Sequence, residues 1–160
     1  MKLRRKENKT DYLKRLHLLK GKSPRVVFRK TNKYIIAQYV RSREAQDSVE
    51  IEVNSKKLLT KGWPKEFAGS LKSIPASYLT GYFMGILIKK NKKENPIVDL
   101  GMMRVIHKTK IYAFLNGLKD SGLDIECDKE FFPEKEKING KNMREDFSKH
   151  FQEIKKNLEK

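Results

Sequence analysis

Cysteine occurs once in the 160 residues, at Cys127. A single thiol excludes an internal disulfide and any zinc site built on several cysteines. It reads as a small, partly buried apolar side chain, and it fits a reducing, cytoplasmic compartment. Long apolar runs are missing as well. The longest stretch of that character, ASYLTGYFMGILI (76–88), falls short of the roughly 20 residues that span a bilayer. The opening MKLRRKENK is basic but leads into no apolar run of signal-peptide length. His17, His107 and His150 are scattered, with no HxxxH or HExxH spacing to set two ligands on one helical face. No glycine-rich phosphate loop follows a strand, and no GxSxG turn offers a serine nucleophile. These absences point away from metal-dependent, nucleotide-hydrolysing and serine-nucleophile chemistry.

Negative charge is scarce too. Asp and Glu number 20 against 37 Lys and Arg, a net charge of +17. Such a surplus repels itself unless a polyanion neutralises it, so nucleic acid is the leading partner and a membrane surface the weaker alternative. The excess is also lopsided. Residues 1–33 hold 13 Lys or Arg against 2 Asp or Glu, and the other 127 residues hold 24 against 18. A merely solvated surface mixes its signs. Hydrophobic residues make up 38% of the chain, enough for one modest core.

The chain begins with an extended basic arm, residues 1–10. In TDYLKRLHLLKGK, Thr10 or Asp11 caps a short helix that ends at Gly21. Tyr12, Leu16 and Leu19, with Leu13 beside Leu16, give it an apolar face, while Lys14, Arg15 and Lys20 are free to point outward. Val26 to Arg29 and Tyr34 to Val40 read as two strands of a hairpin joined through Lys30-Thr31-Asn32-Lys33, where Asn32 suits a left-handed turn position. DSVEIEV (47–53) alternates strictly, with Val49, Ile51 and Val53 on one face and Glu50 and Glu52 on the other, as in a half-buried strand near an edge. Residues 54–75 form an irregular connection with one helical turn around Leu58. Trp63 within it is either a stacking platform for a base or a core anchor.

Ser73 and Pro75 then open a strong helix, 75–93. Leu79, Phe83, Ile86 and Leu87 form its apolar stripe, and Ser77, Gly81 and Gly85 line a second face without bulk. Glycine costs a helix about 1 kcal/mol relative to alanine, so this row implies close packing, here expected against a sheet. PIVDLG (96–101) has the character of a central strand. A helix over 109–121 follows, stopped by Gly122, and LDIEC (123–127) alternates like a last short strand. Phe131-Phe132-Pro133 closes the compact region. Beyond it, Asn142 and Glu145 resemble a capping box. Met143, Phe147, Phe151, Ile154 and Leu158 then form a helical stripe that packs either on its own domain or on a partner protein.

The expected fold is α/β: an antiparallel three-strand meander followed by α-β-α on a mixed sheet. Three units are expected: the arm and short helix (1–22), the α/β domain (23–133) and a C-terminal helical extension (134–160). Asp99 sits where a ribonuclease-H-like nuclease carries a metal-binding carboxylate. That chemistry needs a cluster of acids around paired magnesium ions, and no spacing makes Glu50, Glu52 and Asp124 converge on it. Asp99 therefore reads as a hydrogen-bonded structural acid, with no catalytic residue, metal or cofactor expected.

Taken in order, RRKENKTDYLKRLHLLK, PRVVFRKTNKYIIAQ, GW, IPASYLTGYFMG, VDLG, GLDI and FPEKEKING resemble the archaeal and eukaryotic branch of large-subunit ribosomal protein eighteen. The eukaryotic members are the 5S-ribosomal-RNA-binding protein five. The resemblance runs from about residue 3 to at least 142. It implies a ribonuclease-H-like topology without catalysis, and a structural role in the central protuberance of the large subunit. The implied partners are 5S rRNA, large-subunit rRNA and neighbouring ribosomal proteins, with neither a membrane nor a small-molecule substrate. Matching the family's RNA-contacting segments places Arg4, Arg5, Lys6, Lys9, Tyr12, Arg15, Arg25, Arg29, Lys30, Asn32, Lys33 and Gln38 at the RNA. Two departures stand out: PKEFAGSLKSI replaces a glycine-rich link after GW, and the tail after Asn142 diverges. A basic RNA-binding adaptor outside the ribosome and a ribonuclease-H-like nuclease are the alternative readings.

Overall fold

The computed structural model describes residues 6–7, 10–44, 46–143 and 147–159. Asp11 caps the first helix, α1 (Tyr12–Lys20), by accepting from the Leu13 and Lys14 amides. Three antiparallel strands follow: β1 (Arg25–Lys30), β2 (Ile35–Arg43) and β3 (Gln46–Asn54). After two 3-10 segments, Ser55–Lys61 and Lys65–Ser70, come α2 (Ile74–Lys90), β4 (Ile97–Asp99) and α3 (Lys110–Asp120). A short α4 (Lys135–Ile138) and then α5 (Ser148–Glu159) end the order. The sheet runs β3-β2-β1-β4, with β4 parallel to β1. It is the mixed α/β sheet that the sequence implies.

Strand alternation sends Val26 and Phe28 of β1, and Ile35, Ala37 and Tyr39 of β2, to one face. There they pack with Met84 and Ile88 of α2 and with Phe114 and Leu118 of α3. A second cluster forms where Trp63, Leu58, Leu71 and Leu79 meet Phe147, Phe151, Ile154 and Leu158. The C-terminal stripe thus packs on its own chain. Trp63 is its anchor rather than a base platform: it is 2% exposed, lies against Phe147 at 4.6 Å between ring centroids, and donates to the Phe67 carbonyl.

The structure corrects several local expectations. The small-residue row of α2 meets a helix, not the sheet. A Cβ at Gly81 would run into the Phe114 carbonyl, one at Gly117 would run into the Tyr78 carbonyl, and the Ser77 hydroxyl donates to the Lys110 carbonyl at 2.6 Å. Backbone-to-backbone approach of α2 and α3 is what the missing side chains permit. β4 is an edge strand of only three residues, because the chain turns at Gly101 with φ +61 and residues 123–127 add no strand beside it. Val49 leaves the face of Ile51 and Val53. A bulge pairs Tyr39 with Ile51 but Val40 with Val49, so Glu50 is the extra residue and the alternation flips. The hairpin turn is closed by Thr31, whose amide and hydroxyl both donate to the Tyr34 carbonyl. Positive φ falls on Lys22, Glu44, Lys92 and Lys108, not on Asn32. Of the suggested capping pair, Glu145 lies outside the described residues.

Candidate nucleic-acid interface

On the face of the sheet away from α2 and α3, β1 presents Arg25, Val27 and Arg29. α1 lies over one end of this face, where its Arg15 reaches Asp47 of β3 at 3.0 Å. Between them opens a cleft of about 510 Å3, lined by Lys14, Arg15, Arg29 and Asp99 among others. Its floor is Arg25, and here the sequence expectation needs correcting. Arg25 is 2% exposed, and its guanidinium is fully engaged: Nη2 binds Asp47 Oδ1 and Ser42 Oγ, each at 2.8 Å, and Nη1 faces Asp99 Oδ2 at 3.4 Å. A guanidinium so enclosed organises the protein instead of meeting a phosphate.

Asp99 is held accordingly. Its Oδ1 accepts from the Gly101 amide at 2.8 Å, and Arg29 Nη2 stands 3.8 Å from Oδ2. Two arginines thus stand at the Asp99 carboxyl. The other acids considered for a metal site are dispersed: Glu50 pairs with Lys93 at 2.9 Å, and Glu52 accepts from Gln38 at 2.7 Å. Burial raises the pKa of Asp47, but the Ser42 hydroxyl, Arg15 and Arg25 outweigh it and hold the carboxyl below its usual range.

The remaining site residues divide clearly. Arg29 is exposed, though two of its bonds go to the Phe28 and Asp99 carbonyls, and its guanidinium lies over Gly101, where a Cβ would sit 3.1 Å away. Lys6, Lys30, Asn32 and Lys33 are exposed, the last three at the hairpin tip. Lys14, Lys20 and Lys22 are exposed along and just after α1. Lys14, Lys20, Lys22, Lys30 and Lys33 have no acidic partner among the described residues. Tyr12 is half-buried and Gln38 is tied to Glu52. Arg4, Arg5 and Lys9 lie outside the described residues. α1 does not bury the apolar face that its spacing suggests: Leu13 is 65% and Leu16 47% exposed. α1 and the residues just after it therefore combine exposed ammonium groups with uncovered leucines.

Sequence reasoning passed over a second group of cations. Lys72, Arg104, Lys108 and Lys110 gather beside Lys30, and the pKa of Lys110 is lowered by burial and by the charges of Lys30 and Lys72. The signal was in MRVIHKTK (103–110), where three cations follow one another without an acid.

A family model described as "Ribosomal large subunit proteins 60S L5, and 50S L18" matches residues 1–96. Among curated proteins, the large ribosomal subunit protein uL18 of Korarchaeum cryptofilum is 41% identical over 140 residues, covering 88% of this chain and 70% of that protein. The protein of the same name from Methanospirillum hungatei is 34% identical over 142 residues, 89% of this chain and 79% of that protein. That of Methanoculleus marisnigri is 36% identical over the same length and shares.

Proposed function

Since the chain belongs to the uL18 family of large-subunit ribosomal proteins, we propose that it binds 5S rRNA and anchors it in the central protuberance of the large subunit. The family is structural, not enzymatic. One observation carries the RNA reading. After the internal ion pairs have engaged Arg15 and Arg25, α1, the residues just after it and the hairpin still present Lys14, Lys20, Lys22, Lys30 and Lys33 without an ion pair among the described residues. Lysines held on a helix and a hairpin at fixed spacing bind phosphates and release condensed counterions. RNA duplexes hide base edges in a deep groove, so contact is with backbone, shape and 2′-hydroxyls. Asn32 at the hairpin tip supplies an amide for sugar or an unpaired base. The leucines on α1 would be covered in the assembled subunit, by rRNA or by neighbouring ribosomal proteins.

The test is binding of the full chain to 5S rRNA as salt is raised. With six to ten phosphate contacts, affinity falls about 10³–10⁵-fold between about 50 and 200 mM salt. K14E/K33E should weaken binding strongly while circular dichroism stays that of the wild type, because both side chains are exposed and neither has an ion pair among the described residues. Unchanged affinity in that variant would overturn the assignment.

A further inference from the structure

The cations of β1 divide between two faces. Arg25 and Arg29 point away from the helices, whereas Lys30 continues the inward row of Val26 and Phe28. At its end of the sheet, Lys30 meets the starts of α2 and α3 and the segment 103–108 around a separate cleft of about 540 Å3. Lys30, Arg104, Lys108 and Lys110 line it, Lys72 stands near enough to depress the pKa of Lys110, and no acid lines it. None of these five has an ion-pair partner among the described residues. The bottom is apolar, with Ile74, Met103, Ile106 and Ile111, and Ile106 is 49% exposed.

From this arrangement we infer that the cleft is a second RNA site, taking an unpaired nucleotide of a single strand. Phosphates bridge the ring of cations, and the base lies on Met103 and Ile106. The volume is that of sites holding one small molecule, about 300–1,000 Å3, so a nucleotide enters and a helix does not. Charge complementarity selects the occupant. Mutually repelling cations with no internal counter-charge call for a polyanion, and an apolar floor within them favours one that carries a flat, weakly polar ring. The inference rests on the RNA-binding reading above, shares Lys30 with it and otherwise concerns different residues.

The experiment uses the full chain with a labelled ten-uridine RNA and a blunt RNA duplex of equal length. R104Q/K108Q/K110Q should lose at least tenfold in affinity for the single strand and show a flatter salt dependence, by about 0.7 in log–log slope for each phosphate no longer neutralised. I106S should weaken the single strand several-fold and leave the duplex unchanged. A ten-mer containing 4-thiouridine should photo-crosslink the wild type within 102–111, a readout that does not depend on any variant folding. The site is overturned if the triple variant holds the ten-mer as the wild type does, or if crosslinks fall only within 1–25. Displacement of the strand by equimolar hexaglutamate would overturn it too. Wild type that binds 5S rRNA while failing these tests removes the cleft alone; wild type that binds no RNA removes the first reading as well.

Discussion

Arg25 and Asp99 face each other across the parallel pairing of β1 and β4, Nη1 to Oδ2 at 3.4 Å. The same guanidinium reaches Ser42 on β2 and Asp47 on β3. One side chain therefore ties all four strands together on the face that α1 partly covers. Removing one partner of a buried pair leaves an uncompensated charge, which costs about 3–5 kcal/mol. R25Q should accordingly lower the unfolding free energy measured in urea by an amount near that range, with RNA affinity falling only as far as the fold is lost. If R25Q were as stable as the wild type yet failed to bind 5S rRNA, Arg25 would be a direct RNA contact after all.

Helix packing yields a second prediction. At Gly81 and Gly117 a methyl group would strike the backbone of the opposing helix, and backbone cannot swing aside as a flexible side chain can. G81A and G117A should each destabilise by about 1–3 kcal/mol or more, although alanine is the better helix former. Gly69 has nothing within 4 Å of its would-be Cβ, so G69A serves as a control and should leave the thermal midpoint nearly unchanged.

Much of this was legible beforehand, for reasons particular residues make plain. Period-two alternation in Val26–Phe28 and Ile35–Tyr39 exposed the hairpin, and the spacing of Phe147, Phe151, Ile154 and Leu158 exposed α5. What alternation cannot register is an inserted residue, so the bulge at Glu50 moved Val49 unannounced. Small residues at spacing four announce a close approach without saying to what, which is why the row Ser77, Gly81, Gly85 was matched to the wrong neighbour. Among the site residues, composition marks a cation but not its counter-charge. Asp47 and Asp99 lie 22 and 74 positions from Arg25, and only the folded sheet brings them to it. The ammonium groups of Lys30 and Lys110 are similarly distant in sequence, so the run of cations at 103–110 marks only one wall of their cleft.

Acid should loosen α1. Asp47 joins Arg15 of the helix to Arg25 of the sheet, and its pKa is held below the ordinary 3.8. A carboxyl depressed by folding contributes stability that is complete above the unfolded value and is lost as pH falls through the lower folded one. Unfolding monitored between about pH 5 and pH 2 should show this loss, and D47N should show a shallower dependence from a lower starting stability. Equal slopes in both proteins would mean that other carboxyls carry the acid sensitivity.

Alkali should act at the opposite end of the molecule. Tyr78 donates to Asp120 and Tyr82 to Glu159, each at 2.6 Å, while Lys155 of α5 bonds the Tyr78 hydroxyl at 3.0 Å and lies 4.7 Å from the centre of the Tyr82 ring. Burial, then the hydrogen bond to Glu159, pushes Tyr82 up to about 12, and burial with the Asp120 bond raises Tyr78 further. A phenol that keeps its proton better in the fold stabilises the fold fully below its unfolded value, near 10. That contribution disappears as pH rises from there towards and beyond about 12. Tyrosinate absorbance in the native protein should therefore lag behind that of the unfolded chain for these two groups. Y78F/Y82F should lose about 1–2 kcal/mol at neutral pH for each bond removed, while its stability declines less steeply above pH 10. Because Tyr78 meets α5 through Lys155 and Tyr82 meets it through Glu159, exchange protection of the amides in Ser148–Glu159 should fall first as alkali is added. Loss of protection in α3 before α5 would show that the second core does not depend on this cluster.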